Sequence, residues 1–230
     1  ESYPPEHADI ALVAAASLAE MDQKGLVPLA RILSGHAWLV ANRGSMERKD
    51  LSRVLRPFHC IPPPAREVSD EISIAEVKGE TKAIPRLADE GAVGLALPDG
   101  HQQVHTREFL RRIGLEIQGY ESTPPSRRPV IGIEGVKVKV IRPQDMPTQV
   151  ANGNFDLAVT GRDWLRDQLY QFPSSPVEEL LDFGFGRVRI VAVVHNDLPV
   201  WRISDLREML RSGRIPVLRI ATEYTNIADQ

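Results

Sequence analysis

The stretch 142–163, RPQDMPTQVANGNFDLAVTGRD, joins a polar turn, a short amphipathic helix and a buried strand. The helix is predicted to begin in the turn Pro143-Gln144-Asp145 and to end at Asn152-Gly153, where glycine accepts a left-handed backbone. The apolar run 155–159 predicts a core strand, and Thr160-Gly161-Arg162-Asp163 can open a second helix after it. Because small ligands bind at the carboxyl ends of strands in open α/β sheets, this stretch predicts a ligand-facing edge.

Strand-like and helix-like patterns alternate along most of the chain. The β-rich runs are 10–16, 38–41, 93–97, 130–141, 155–159, 187–194 and 217–221, and helical periodicity occurs at 45–56, 105–115, 145–151, 162–169 and 204–211. This alternation is typical of an α/β architecture. Within 130–141, Glu134-Gly135 predicts the turn of a β-hairpin. The stretch 59–92 is rich in proline and charge without apolar periodicity, which indicates a connector.

Composition limits the classes of function. With 230 residues, of which 42% are hydrophobic, the chain can bury a full core as one domain or two lobes. A net charge of −3 gives no overall attraction to nucleic acid or anionic membrane, so any anion site must be local. The single cysteine, Cys60, excludes an intramolecular disulfide framework and fits a reducing cytosol. The six histidines lack zinc-site spacing, so no protein-bound metal is expected.

The sequence shows neither a transmembrane span nor a signal peptide. Its longest apolar run, Ile10 to Leu18, is about half of the roughly 20 residues that a membrane-spanning helix needs. The segment before this run is acidic, whereas a signal peptide begins with basic residues. The run is therefore interpreted as a core strand and the turn that follows it.

Three separated blocks carry a resemblance to a known family. The stretch 142–163, LLDFGFGRVRIVAVV at 180–194 and RIATEYTNIA at 219–228 together resemble ATP phosphoribosyltransferase, the first enzyme of histidine biosynthesis. Residues 95–117 are similar to the opening strand and helix of the family, and 8–42 to the part that normally follows RIATEY.

The blocks stand in an order that differs from that of the family. Family members would run 95–230 and then 1–56, so the chain resembles a circular permutation with part of the family's body absent between Gln230 and Glu1. Chain termini usually lie at the surface and often close together, which makes permutation physically feasible. The alternative to a permutation is that the residues are numbered in an order that differs from the order in which the chain is synthesised.

The resemblance implies an α/β fold with two lobes of the type II periplasmic-binding-protein kind around a central cleft. Lobe one would hold 95–182 with 43–56 as a tail, lobe two would hold 183–230 plus 1–42, and 57–94 would connect them. The permuted order carries a structural expectation. The strand in 8–16 should lie parallel to the strand in 217–221 within one lobe, and their separation into different domains would contradict the permutation.

The implied reaction joins N1 of ATP to the anomeric carbon of phosphoribosyl pyrophosphate and releases pyrophosphate, with substrate-bound Mg2+. Such a reaction depends on orienting two polyanions, so anion donors are expected, and no residue is assigned as catalytic. The resemblance implies substrate-binding residues in both lobes: Arg127, Arg142, Gln144, Asp145, Thr160, Gly161 and Asp163 in lobe one, and Ser17, Arg219, Thr222 and Glu223 in lobe two.

Structural interpretations of several of these residues stay open. Asp145 and Asp163 suit the first turn of a helix, where a carboxylate satisfies backbone donors. Thr222 could cap a helix with Tyr224 packed beneath it. Arg127 lies in a basic loop that water alone could solvate.

Two segments depart from the family pattern. Where the family has an acidic residue and a Thr-Gly-x-Thr turn that holds the 5′-phosphate, this chain reads LVAAASLAE at 12–20. The glycine is missing, Ser17 keeps the only hydroxyl, and Glu20 would repel phosphate. The segment Pro98-Asp99-Gly100-His101 replaces Pro-Lys-Gly-Arg, so two cations are lost. Both changes weaken anion binding.

Two functions are consistent with these features. The first is a cytoplasmic, oligomeric ATP phosphoribosyltransferase of the short form, working with a histidyl-tRNA-synthetase-like regulatory subunit and without nucleic acid or membrane. The second is a catalytically impaired paralogue that acts as a two-lobed small-ligand binding or regulatory protein. The RPQD, TGRD and RIATEY motifs favour the enzyme, and the altered segments 12–20 and 98–101 favour the binding protein.

Overall fold

The computed structural model describes residues 9–15, 17–60, 91–122 and 125–229. Its strands are β1 Ile10–Ala15, β2 Leu26–Gly35, β3 Ala37–Asn42, β4 Val93–Pro98, β5 Ile117–Gln118, β6 Val130–Ile131, β7 Val136–Ile141, β8 Leu157–Gly161, β9 Val177–Asp182, β10 Val188–His195 and β11 Ile220–Thr222. Its α-helices are α1 Leu18–Gln23, α2 Arg43–Arg48, α3 Ser52–Leu55, α4 His101–Arg112, α5 Met146–Ala151, α6 Arg162–Gln171, α7 Ile203–Arg211 and α8 Thr225–Ala228. Short 3-10 helices occupy Arg56–Cys60 and Pro143–Asp145.

The chain forms two compact units, each with its own sheet. Unit 1 takes in residues up to Gly35 and from Arg187 onward, and unit 2 takes in the described residues between His36 and Gly186. Strands and helices occur in both units, which confirms the α/β class predicted from the sequence. The unit boundaries differ from the expected lobes, because 36–42 and 183–186 belong to unit 2. The reason is that β3 pairs with β8 on one side and β9 on the other.

The sheet of unit 1 has the strand order β11-β1-β10-β2. Strand β1 runs parallel to β11, with Ile10 opposite Ile220, and antiparallel to β10. The expected parallel pairing of 8–16 with 217–221 in one unit is therefore confirmed. A small core of Ala11, Met21 and Val193 packs between the sheet and α1.

An ion pair joins the two parallel strands of unit 1 at their amino ends. The Arg219 guanidinium donates to both carboxylate oxygens of Asp9, at 2.9 and 3.1 Å, and the Arg219 backbone N–H adds a 2.9 Å bond. These hydrogen bonds lower the pKa of Asp9 below its ordinary value. Because the folded-state pKa is depressed, the contribution to stability is present at neutral pH and is lost as the pH falls through that pKa.

The sheet of unit 2 has the strand order β7-β4-β8-β3-β9. Strand β4 runs parallel to both β7 and β8, whereas β3 runs antiparallel to β8 and β9. The side chains of Leu39, Leu95, Leu97 and Leu157 fill one face of this sheet at 0–1% exposure. The other face packs under α5 and α6 through Met146, Val150 and Leu165.

The β-hairpin predicted within 130–141 is wrong. Strand β6 pairs with β5, and β7 pairs with β4 in parallel. The alternation of β7 explains the difference, because Val138 and Val140 are buried against the core of unit 2 while Lys137 and Lys139 face outward. Pairing with β4 places that apolar face on the core, which a local hairpin could not do.

Helix ends and three strands also differ from the sequence prediction. The helix expected at 105–115 begins earlier, at His101, and the one expected at 45–56 is divided into α2 and α3. Strands β2, β5 and β9 were not predicted. Most of the connector predicted at 57–94 lies outside the described residues. Among the residues that the structure does describe, none of the helices combines the length and apolar character that a membrane crossing needs.

A buried ion pair closes the amino end of the unit 2 sheet. The Lys49 ammonium lies 2.8 Å from Asp156 Oδ2 and donates to the Ala92 carbonyl at 2.7 Å. The Gly94 backbone N–H donates to the same carboxylate oxygen at 2.7 Å. The side chains of Lys49 and Asp156 are 19% and 5% exposed, so each charge depends on its partner for stabilisation.

Replacing Lys49 by methionine should destabilise unit 2 by about 3 kcal/mol, because a buried carboxylate loses its counter-charge. Urea unfolding at neutral pH measures this loss. The matched control is Lys139→Met, at an exposed position of β7, which should change stability by less than about 0.5 kcal/mol. Equal effects of the two substitutions would show that the Lys49–Asp156 pair does not stabilise the fold.

Candidate functional site

The carboxyl ends of the three parallel strands of unit 2 lie at one edge of its sheet. Strands β4, β7 and β8 end at Pro98, Ile141 and Gly161. The polar turns that follow them are therefore neighbours, as the sequence pattern predicts. This carboxyl edge carries the candidate residues of unit 2, namely Arg127, Arg142, Gln144, Asp145, Thr160, Gly161 and Asp163.

The turn after β7 presents charged groups to solvent. Arg142 directly follows the strand, and its carbonyl accepts a 3.1 Å bond from the backbone N–H of Asp145 across the short 3-10 helix. The side chains of Arg142, Gln144 and Asp145 are exposed. A guanidinium in this position can grip phosphate oxygens through a bidentate fork.

Thr160 connects the turn after β7 to the end of β8. Its side chain is fully buried, and its hydroxyl donates a 3.1 Å hydrogen bond to the carbonyl of Pro143. Thr160 thereby fixes the distance between the two turns, and Arg142 is attached to this arrangement through its neighbour Pro143.

The corner from β8 to α6 is crowded above Gly161. Its backbone has an ordinary extended conformation, with φ −72° and ψ 141°. A Cβ at this position would overlap Oδ1 of Asp163 and lie 2.9 Å from Nε2 of Gln102. Glycine is needed here for space rather than for its backbone freedom. Asp163 lies in the first turn of α6 and is 2% exposed, so its carboxylate is part of the packed corner.

The turn after β4 carries Asp99, one of the departures from the family pattern. Its carboxylate lies 3.3 Å from the guanidinium of Arg127, and the Arg127 carbonyl accepts from the backbone N–H of Val140. Arg127 is 70% exposed, so the pair contributes little to stability. The pair nevertheless places Arg127 at the carboxyl edge, next to Asp99, which stands where the family pattern has a lysine.

Buried groups hold the end of β4 and the start of α4. The Tyr120 hydroxyl donates to the Pro98 carbonyl at 2.6 Å, and burial raises the pKa of Tyr120 above its ordinary value. Gln103 donates to the carbonyls of Tyr120 and Ser122 at 2.9 and 2.7 Å. The turn between them uses Gly100 at φ +67° and ψ −140°, a conformation that glycine tolerates.

A further group at this edge was not found from the sequence. His36 Nδ1 lies 3.3 Å from Asp182 Oδ2, and the His36 carbonyl accepts from the backbone N–H of Arg162 at 2.9 Å. The Arg162 guanidinium lies over the ring of Trp38, 5.2 Å from its centroid, and 3.4 Å from Glu179. These partners are far apart in sequence and follow no motif, so only the strand pairing of β3 with β8 and β9 brings them together.

The candidate residues of unit 1 fall into two places. Thr222 ends β11, where its hydroxyl accepts from the backbone N–H of Tyr224 at 2.9 Å, and Tyr224 is buried. The packing of Tyr224 matches the structural alternative, but Thr222 does not cap the helix: its hydroxyl closes a local turn, and α8 begins at Thr225 with Tyr224 at the N-cap position and no side-chain cap bond. Glu223 and Ser17 are exposed near the carboxyl ends of β11 and β1, and Ser17 makes no side-chain cap bond to α1. Arg219 lies at the opposite, amino end of β11, paired with Asp9.

In the described part of the chain, no group of three or more His, Cys, Asp or Glu side chains could hold a metal ion. A groove of about 830 Å³ lies among α2, α3 and the turn before β7, lined by Met46, Lys49, Arg53 and Ile133 among others. This groove lies at the amino end of β7, away from the carboxyl edge and its candidate residues.

The fold and this edge define an α/β protein whose polar turns follow parallel strands in the manner of ligand-binding sheets. Residues 142–230 match the family model described as HisG: ATP phosphoribosyltransferase. The chain is 34% identical over 137 residues to an ATP phosphoribosyltransferase of Desulfitobacterium hafniense, covering 59% of this chain and 57% of that protein. It is 32% identical over 139 residues to one from Metallosphaera sedula, covering 58% of this chain and 42% of that protein. The resemblance to this family is thereby confirmed.

The extent of these matches is partial. The chain spans 57% and 42% of the lengths of these two relatives. Among solved structures, it is similar to the spermidine/putrescine ABC transporter substrate-binding protein PotD from Streptococcus pneumoniae, with a TM-score of 0.43, 12% identity, and coverage of 83% of this chain and 60% of that one. It is also similar to the second substrate-binding domain of a putative amino acid ABC transporter from the same species, with a TM-score of 0.38, 11% identity, and coverage of 94% and 68%.

Replacing Gly161 by alanine should destabilise unit 2 by about 1–3 kcal/mol, because the added methyl group overlaps the Asp163 carboxylate and forces the corner to shift. Gly132→Ala is the matched control, since an added Cβ there meets no atom within 4 Å. Chemical unfolding compares the two variants. Similar stabilities would mean that the space above Gly161 is not tightly packed.

Proposed function

We propose that the chain is an ATP phosphoribosyltransferase, which condenses ATP with phosphoribosyl pyrophosphate in the first step of histidine biosynthesis. The observation that supports this most strongly is the family match over 142–230, which includes the turn after β7, the Thr160–Asp163 corner and the end of β11. The family match covers only 142–230, and the proposal extends this family relationship to the whole chain.

The reaction makes one bond and breaks one. N1 of the adenine donates its electron pair to the anomeric carbon of phosphoribosyl pyrophosphate, and the carbon–oxygen bond to pyrophosphate breaks with its pair leaving on oxygen. The substituted adenine then loses a proton to solvent. Mg2+ enters with the pyrophosphate group of the substrate and offsets its charge. The protein's contribution is orientation and neutralisation of charge, so no nucleophilic side chain is required.

The carboxyl edge of unit 2 has groups suited to this task. The Arg142 side chain is exposed, and the backbone of its neighbour Pro143 is held by the buried Thr160 hydroxyl. Gln144 and Asp145 add hydrogen-bonding groups on the same turn. In this proposal Arg142 binds substrate phosphate, and the Thr160–Asp163 corner supports it.

The partners and location proposed for the enzyme follow from the family resemblance. They are a histidyl-tRNA-synthetase-like regulatory subunit, assembly into a homo- or hetero-oligomer, and a cytoplasmic location. Histidine feedback would then act through the regulatory subunit. The substrates are ATP and phosphoribosyl pyrophosphate.

A second candidate is a catalytically impaired paralogue that binds a small ligand. Two observations favour it. The turn from β1 to α1 contains exposed Ser17 but no glycine, so it lacks the tight phosphate-binding turn of the family. Asp99 stands where the family has a cation, and its carboxylate pairs with Arg127. This pairing neutralises one of the basic side chains at the carboxyl edge. Both features weaken phosphate binding without affecting the remaining turns.

Replacing Arg142 by alanine should weaken ATP binding by about 1.5–3 kcal/mol, the scale of a charge-assisted hydrogen bond. Isothermal calorimetry with the full chain measures the dissociation constant. Arg53→Ala removes an exposed guanidinium from the groove at the amino end of the sheet and serves as the matched control. An unchanged affinity in Arg142→Ala would remove Arg142 from the site.

A further inference from the structure

The segments by which the chain enters and leaves unit 2 are hydrogen-bonded to each other. Within the described residues, the chain enters this unit at His36 and leaves it after Gly186. The Ala37 backbone N–H donates to the Phe185 carbonyl at 3.0 Å, and the Phe183 backbone N–H donates to the Ala37 carbonyl at 3.0 Å. The course of the leaving segment, 183–186, therefore depends on its contacts with the start of β3.

One carboxylate at the end of β9 joins the leaving segment to the entering one. Asp182 Oδ1 accepts a 2.8 Å hydrogen bond from the backbone N–H of Gly184, which closes a turn in which Gly184 has φ +69°. Asp182 Oδ2 lies 3.3 Å from Nδ1 of His36. The same side chain thus holds the turn with one oxygen and the imidazole with the other.

The contact between His36 and Asp182 changes with the charge of the imidazole. Their side chains are 23% and 21% exposed, so water screens the contact only in part. A protonated imidazole forms an ion pair with the carboxylate, whereas a neutral one forms a hydrogen bond that lacks the Coulomb attraction between opposite charges. Histidine side chains change charge between about pH 5 and 8, so this contact weakens as the pH rises through that range.

Other charged groups near His36 have partners of their own. On α6, the backbone N–H of Arg162 donates to the His36 carbonyl, and the Arg162 guanidinium lies 3.4 Å from Glu179 on β9. On α4, the ring of His105 lies 6.5 Å from the ring of Phe185. Among the described residues, the carboxylate at the end of β9 is the one acidic group that pairs with the imidazole.

We propose that the His36–Asp182 pair is a pH-sensitive latch on the segment 183–186. When His36 is protonated, the ion pair fixes the carboxylate that closes the turn at Gly184. When His36 loses its proton to solvent, the carboxylate is held less firmly and the turn opens more often. The latch is therefore closed at about pH 5.5 and loosens as the pH rises to about 8. It is a property of unit 2 and does not depend on the proposed reaction.

Amide hydrogen exchange of the full chain, measured by mass spectrometry and corrected for the intrinsic rate at each pH, tests the latch. Protection of the amides at 183–184 should fall about fivefold between about pH 5.5 and 8, the scale of a partly exposed ion pair. In His36→Gln, protection should stay at the lower level throughout this range, because the glutamine amide donates a hydrogen bond but carries no charge. Asp182→Asn should remove the pH dependence as well.

Two histidine variants are the matched controls. His195→Gln breaks another His–Asp contact, in unit 1, where His195 Nδ1 lies 3.1 Å from Asp197 Oδ2. His105→Gln removes the other imidazole near the segment. Both should keep the full pH dependence at 183–184.

Three results would overturn the latch. They are equal protection of 183–184 at both ends of the pH range in the unmodified chain, the same pH dependence in His36→Gln, or a parallel change in the amides of β4, which would mark a change in the whole of unit 2.

Discussion

The burial of β8 in the middle of the unit 2 sheet is the constraint on which the candidate site depends. All five of its residues are buried, and it pairs in parallel with β4 and antiparallel with β3. A slip of one residue would turn each side chain to the opposite face, so the core fixes the register. That register sets the position of Thr160 and Gly161 at the strand end, beside Pro143 and Gln102.

The sequence predicts the central strands well because their residues are continuously apolar. The runs at 93–97, 155–159 and 187–194 correspond to β4, β8 and β10, and the parallel pairing of β1 with β11 follows from the order of the family blocks. Strands β2, β5 and β9 were missed. Strand β9 lies at a sheet edge and carries Glu178, Glu179 and Asp182 at half-exposed positions, which removes the apolar periodicity that identifies a strand. Strand β2 is also an edge strand and contains Pro28, which counts against a strand in a sequence pattern, and β5 has only two residues.

The sequence predicted which turns form the candidate site, but it did not predict the side-chain contacts within the site. The position of Arg142 and Gln144 after β7 follows from the local pattern, because a polar turn after a strand lies at the carboxyl edge. The Gln102 amide above Gly161, and the pairing of His36 with Asp182, depend on which strands are neighbours. For Arg219 the local motif was misleading. The RIATEY motif spans the whole of β11, so Arg219 lies at the amino end of the strand, where it binds Asp9 and is away from the carboxyl end that carries Thr222 and Glu223.

We propose that the chain, despite its altered β1–α1 turn, supports transfer of a phosphoribosyl group to ATP. An absorbance assay for phosphoribosyl-ATP tests this most directly, with the full chain, both substrates and Mg2+, in the presence and absence of the proposed histidyl-tRNA-synthetase-like subunit from the same source. We expect product in at least one of the two conditions. No product in either condition, from a chain that still binds a small anion, would contradict the claim and support the binding protein.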